Sequence, residues 1–97
     1  MPYEIRFALS AKQQLRAFRV GECAMIVAGV ETRLAQEPLV ETRNRKRLRP
    51  NPIAPWELRV RDMRVFWEVD EPGVVTVLAI GTKRGNRLYI EGEEVEL

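Results

Sequence analysis

The chain contains no histidine and only one cysteine, Cys23, among its 97 residues. The first absence removes Ser-His-Asp and Cys-His catalysis, imidazole metal sites and the usual proton shuttle of neutral pH. The second removes an intrachain disulfide and any multi-cysteine metal centre, and it fits a reducing compartment with Cys23 as a buried structural thiol. No metal ion or other cofactor is expected. Long apolar runs are missing too: none approaches the roughly 18 residues of a membrane-spanning segment. No signal-like stretch opens the chain, whose first residues MPYEIRFAL already alternate like a strand. The expectation is a cytoplasmic protein of one domain, residues 1 to 97, with no membrane partner.

Positive charge is concentrated rather than abundant. The formal net charge is only +2, yet residues 43 to 64 carry eight basic side chains against two acidic ones. The remainder of the chain after 64 carries three basic and seven acidic side chains. A basic centre followed by an acidic tail is the footprint of a polyanion binder; a solvated basic loop is the alternative that charge alone leaves open. The stretch WELRVRDMRVFWEVD, residues 56 to 70, alternates strictly on either side of a break at Asp62-Met63. Trp56, Leu58 and Val60 share one face with Val65, Trp67 and Val69, so this reads as an antiparallel hairpin with a shared apolar face. With Asp62-Met63 as the loop, Val60 faces Val65, Leu58 faces Trp67, and Arg59, Arg61 and Arg64 lie together on the other face. Trp56 and Trp67 belong to the core.

Elsewhere, Tyr3 to Leu9 predicts a strand. Ser10 is a candidate N-cap for a short helix from Ala11 to about Arg19, with Leu15 and Phe18 inward, and Gly21 breaks it. Ile26, Val30 and Leu34 form the apolar stripe of a second helix from Glu22 to about Gln36, with Arg33 and Glu37 able to pair on its wet side and Pro38 ending it. Glu41 to Pro55, with Pro50, Pro52 and Pro55, reads as a loop tacked down by Leu48 and Ile53. Pro72-Gly73 turns the chain into a central strand, Val74 to Ile80. The pattern predicts an α+β, two-layer domain of order β-α-α-β-β-β, an antiparallel sheet covered on one face by two helices, with the arginine face left open.

That order resembles the RelE/ParE superfamily of toxins from type II toxin–antitoxin systems. The resemblance spans nearly the whole chain: a basic link ending in leucine (RKRL), the strand pair ELRVRDMRVFWEVD and the run VLAIGTKRGNRLYI. It implies a RelE-like toxin neutralised by a cognate antitoxin protein. The activity implied is metal-free, ribosome-dependent cleavage of mRNA that inhibits translation. The alternatives are a ParE-like inhibitor of DNA gyrase, or a non-toxic member of the fold that only binds a partner.

By the same resemblance the catalytic candidates are Arg64, Arg84, Tyr89, Arg59 and Lys83. Attack of a 2′-OH on the adjacent phosphate builds negative charge, which fixed guanidinium groups stabilise. Arg64 and Arg84 take that role and Arg59 positions the backbone. The proton movers are Tyr89, Lys83 or a carboxylate, and Tyr89 can instead stack on a base or close the core edge. Arg43, Arg45, Lys46, Arg47, Arg49 and Arg61 are expected to contact RNA phosphates. Glu57 falls where some relatives carry lysine, and a carboxylate there opposes a phosphate.

Overall fold

The computed structural model describes residues 2–70 and 73–97. Strand β1 (Glu4–Phe7) leads into helices α1 (Leu9–Leu15) and α2 (Val20–Leu34), followed by β2 (Arg45–Arg47), β3 (Trp56–Val60), β4 (Met63–Asp70), β5 (Val74–Arg84), β6 (Arg87–Ile90) and β7 (Glu93–Val95). The strands form one sheet in the order β2-β3-β4-β5-β6-β7, with β1 added to β5. The α+β two-layer arrangement matches the pattern read from sequence, with more strands. The β1–β5 pairing is parallel. β5 holds β4 along one edge; its other edge takes β1 at Val74–Val77 and β6 at Thr82–Arg84.

Both helices pack on one face. Ala11, Ile26, Val30 and Leu34 meet Trp56, Leu58, Val65, Trp67, Val75 and Val77 in the main core. The two indoles stack with centroids 5.7 Å apart. Helix boundaries differ from expectation. α1 starts at Leu9, and Ser10 does not cap it: its Oγ donates to the Leu78 carbonyl at 2.9 Å. That carbonyl lies at a bulge in β5, where Phe66 pairs with Ala79 but Trp67 pairs with Val77. α2 begins before Gly21, because Glu22 reaches back to accept the Arg19 N–H at 3.0 Å. Arg33 and Glu37 form no ion pair among the described residues, where Arg6–Glu4 and Arg87–Glu94 do. The Cys23 thiol is half-buried and donates to the Leu15 carbonyl. Gly73 donates its N–H to the Asp70 carbonyl at 2.8 Å; Pro72, its expected turn partner, lies outside the described residues.

The hairpin turn is Arg61-Asp62, not Asp62-Met63. Val60 pairs with Met63, Arg59 with Arg64, Leu58 with Val65 and Trp56 with Trp67. The register is therefore displaced by two residues from the predicted one, which keeps Leu58, Arg59, Val60, Arg64, Val65 and Trp67 on their expected faces; a one-residue slip would have exchanged the faces. Arg61 adopts φ 57° to make the turn.

The second face of the sheet is not left bare. Residues 48 to 55 fold across it, and Ala54, Phe66, Ala79 and Leu88 form a minor core joined by Leu48, Ile53 and Ile90. Asn51 organizes this cover: its Oδ1 accepts the Ile53 and Ala54 N–H groups and its Nδ2 donates to the Arg49 and Ala54 carbonyls. The segment predicted to be wholly loop also contributes β2, which pairs with Trp56–Leu58. No helix among the described residues is long and apolar enough to cross a membrane.

Candidate functional site

Pairing registers place Lys46 beside Glu57, Glu57 beside Phe66, Arg59 beside Arg64, and Arg64 beside Gly81. Paired residues share a face, so Lys46, Glu57, Arg59 and Arg64 belong to the face opposite the helices. Lys83, two positions beyond Gly81, belongs there as well and is paired with Leu88. Its own N–H donates to the Asp62 carbonyl at 2.7 Å, fastening β5 to the hairpin turn.

Arg64 is the centre of this group. It is only 7% exposed. Its Nη1 donates to the carbonyls of Arg61 at 2.8 Å and Met63 at 2.9 Å, while its Nε is buried with no partner among the described residues. Burial, and then the facing Arg59 charge, hold the Arg64 guanidinium below arginine's usual range; Glu57 and Asp62 act in the opposite direction. The result is a cation anchored through Nη1, and a guanidinium is suited to a phosphate oxygen through the donors that the fold does not use. Glu57 is 9% exposed and lies diagonally from Arg64 across the strand pair. The carboxylate that seemed to oppose a phosphate is thus flanked by Lys46, Arg59 and Arg64. Sequence reasoning passed over it as a site residue, although the parity that put Arg59 on this face puts Glu57 there too.

The other candidates divide. Arg84 and Tyr89 do not converge with Arg64. Tyr89 pairs with Thr82, and Arg84 with Arg87, on the helix side. The Arg84 guanidinium lies 5.6 Å from the Tyr89 ring centroid, in a cleft of about 420 Å³ shared with Gln14 and Phe18 of α1. Counting by twos from Gly81 reaches Lys83 and skips Arg84, so Lys83 is the basic residue that shares the Arg64 face. Arg61 is exposed in the turn rather than on the strand.

Arg45, expected to contact phosphate, is taken up by the fold. It is 8% exposed, and its Nε and Nη1 donate to the Val40 and Arg33 carbonyls, the latter in the last turn of α2. A cation there satisfies helix-end carbonyls and the negative pole of the helix dipole. Arg47 is exposed but lies 5.8 Å over the Trp56 ring, on the helix side. Arg43 and Arg49 are exposed in the segments flanking β2. Among the described residues no cluster of acidic or cysteine side chains has the makings of a metal site.

Neither a protein-family model nor a curated protein sequence matches the chain. Its structure is similar to a chain in the RelBE2 toxin–antitoxin complex from Mycobacterium tuberculosis, with a TM-score of 0.73 and 25% sequence identity, covering 86% of this chain and 93% of that one. The strand order, the two-helix layer and this likeness together identify a RelE-like toxin fold.

Proposed function

We propose that this protein is the toxin of a toxin–antitoxin pair and a metal-free endoribonuclease that cleaves mRNA on the ribosome, so halting translation. The observation that carries the reading is the Arg64 guanidinium, buried, pinned by the Arg61 and Met63 carbonyls and flanked by Glu57 and Arg59 on one sheet face. In this reading Glu57 takes the proton of the attacking 2′-OH. The 2′ oxygen bonds to phosphorus, and Arg64 offsets the charge that builds on the phosphoryl oxygens. Lys83 protonates the departing 5′ oxygen, leaving a 2′,3′-cyclic phosphate and a 5′-hydroxyl. Arg59 and Lys46 hold the flanking backbone, and exposed Arg43, Arg47, Arg49 and Arg61 supply sequence-independent attraction. Arg84 with Tyr89 contacts RNA from the other side of the β5–β6 edge.

Mapping 5′ ends of mRNA on translating ribosomes tests this. The wild-type protein produces new ends, and Glu57→Gln and Arg64→Lys each reduce them by about a hundredfold. Unaltered transcripts with folded wild-type protein refute cleavage; full activity in Glu57→Gln removes Glu57 from the chemistry. A second reading, inhibition of DNA gyrase by binding alone, is favoured by the commitment of Arg64 Nη1 to the fold. Supercoiling assays separate the two: gyrase inhibition without RNA ends selects it.

The RelBE2 neighbour is a complex of toxin and antitoxin, and the basic surface here suits an acidic antitoxin as cognate partner. Affinity capture from the native host is expected to recover one small acidic protein.

A further inference from the structure

One edge of β5 is interrupted: β1 pairs with it up to Val77, and β6 only from Thr82. Two side chains of α1, one helical turn apart, close the gap. Ser10 Oγ donates to the Leu78 carbonyl at 2.9 Å, and Gln14 Oε1 accepts the Ile80 N–H at 2.7 Å. An N–H is met only by the amide oxygen, so the Gln14 amide has one allowed orientation and its Nε2 is fixed as a donor. Gln14 is 8% exposed, and the only hydrogen bond of its side chain among the described residues runs through Oε1. The Nε2 donor is left for the cleft that Gln14 lines.

That cleft, of about 420 Å³, also holds Arg84 and Tyr89, and its size falls in the range of about 300–1,000 Å³ typical of small-ligand pockets. Phe18 adds a second ring, and Glu91 is the only carboxylate among the described lining residues. Glu91 and Gly92 form the two-residue turn between β6 and β7, closed by the Ile90–Glu93 pair. Both are left-handed, at φ 53° and 79°. Such a turn favours asparagine before glycine, so a glutamate there carries backbone strain. The turn gives no reason for that glutamate; the cleft gives one. Guanine offers a carboxylate two adjacent donors, N1–H and N2–H, and its O6 accepts from an amide beside them. On the same edge adenine, cytosine and uracil each pair a single donor with an acceptor, so they engage only one carboxylate oxygen. The rings of Phe18 and Tyr89 supply stacking surface, and Arg84, the one cation of the described lining, is left for a phosphate.

We propose that this cleft is a guanine-recognition site, in which Glu91 and Gln14 read the edge of the base and Arg84 takes the phosphate of the same nucleotide. Recognition of the base stands on the cleft alone; a guanine of the cleaved strand as its occupant rests on the nuclease reading above.

The test titrates the full chain, by backbone and side-chain amide NMR, with the four 5′-mononucleotides and with uridine trinucleotides carrying guanine, adenine or uracil at the centre. 5′-GMP is expected to bind about tenfold tighter than 5′-AMP, 5′-CMP or 5′-UMP and to shift the Gln14 side-chain amide, Thr82 and Tyr89. Glu91→Asn suits the turn, so this variant melts no lower than wild type, yet it loses the preference for guanine. Gln14→Glu keeps an oxygen for the Ile80 N–H, removes the donor and loses the preference too. Equal affinities for the four nucleotides, shifts confined to the Arg64 face, or a preference that survives in full in either variant overturn the site. A central guanine that tightens trinucleotide binding about tenfold makes a strand the source of the base; a preference confined to 5′-GMP makes it a free nucleotide. Guanine preference in a protein that never cleaves RNA keeps the site and rejects the nuclease reading. Cleavage by a protein without guanine preference keeps the nuclease and rejects the site.

Discussion

Arg59 and Arg64 face each other directly across two strands, an arrangement that opposes like charges on one sheet face. Exposed Arg59 can lean into solvent, whereas Arg64 cannot. Arg59→Gln is therefore expected to raise stability in urea unfolding by a few tenths of a kcal/mol and to weaken single-stranded RNA binding. Loss of both would show that the Arg59 side chain has a structural role. Arg64→Ala works the other way. It strips the Arg61 and Met63 carbonyls of their shared donor, at a cost of about 1–3 kcal/mol. The lowered proton affinity of Arg64 penalises the charged form in the fold wherever both folded and unfolded states are protonated. That penalty lifts only as pH rises through the lowered value, far into the alkaline range. Between about pH 6 and 9 the stability difference between Arg64→Ala and wild type is thus expected to stay flat, and a slope there would mean that another group titrates with it. Alternation sufficed to put Arg59, Glu57 and Arg64 on one face. The tie from Arg64 to its own turn was not legible, since it depends on where the turn falls.

At the level of elements, patterning located β1, α2, β3, β4 and β5 but not their ends. The two-residue displacement of the hairpin is invisible to patterning because both registers bury the same side chains, and a left-handed arginine is not a turn signal. β2 was hidden by its three-residue length and by the prolines that follow it. Its residues split sharply. Arg45, binding the Val40 and Arg33 carbonyls, is expected to cost about 2 kcal/mol when changed to alanine, because it leaves two part-buried acceptors, one in the last turn of α2, without their donor. Lys46→Ala, one residue along and exposed, stays within about 0.5 kcal/mol. Paired thermal melts distinguish them, and equal effects would dissolve the assignment of Arg45 to the fold. The β5–β6 ladder has its own critical position: a β-carbon at Gly81 would meet the Tyr89 carbonyl at 2.6 Å and Ile90 Cγ1 at 2.9 Å. Gly81→Ala should accordingly destabilise by at least about 2 kcal/mol, with loss of amide protection beginning in β6 and β7.

Across the whole molecule, the charge asymmetry of the sequence becomes a spatial one. The sheet runs from a basic edge at β2 to an acidic one at β7, with Lys83 lining a depression near that end together with Glu94 and Glu96. A polyanion on the Arg64 face therefore meets Lys46, Arg59 and Arg64 around the single carboxylate of Glu57 but must compete with Glu94 and Glu96 for Lys83. Four phosphate contacts by these cations correspond to a slope of log affinity against log salt of about −3 for single-stranded RNA. Glu96→Gln relieves the competition at Lys83 without touching the β6–β7 pairs, so affinity should rise about two- to threefold at low salt and the gain should shrink as salt is added. The decisive comparison is the double variant with Lys83→Gln. If the field at the acidic end acts through Lys83, the Glu96→Gln gain disappears in that background; if the gain persists in full, RNA passes elsewhere on the sheet and Lys83 is not part of the site.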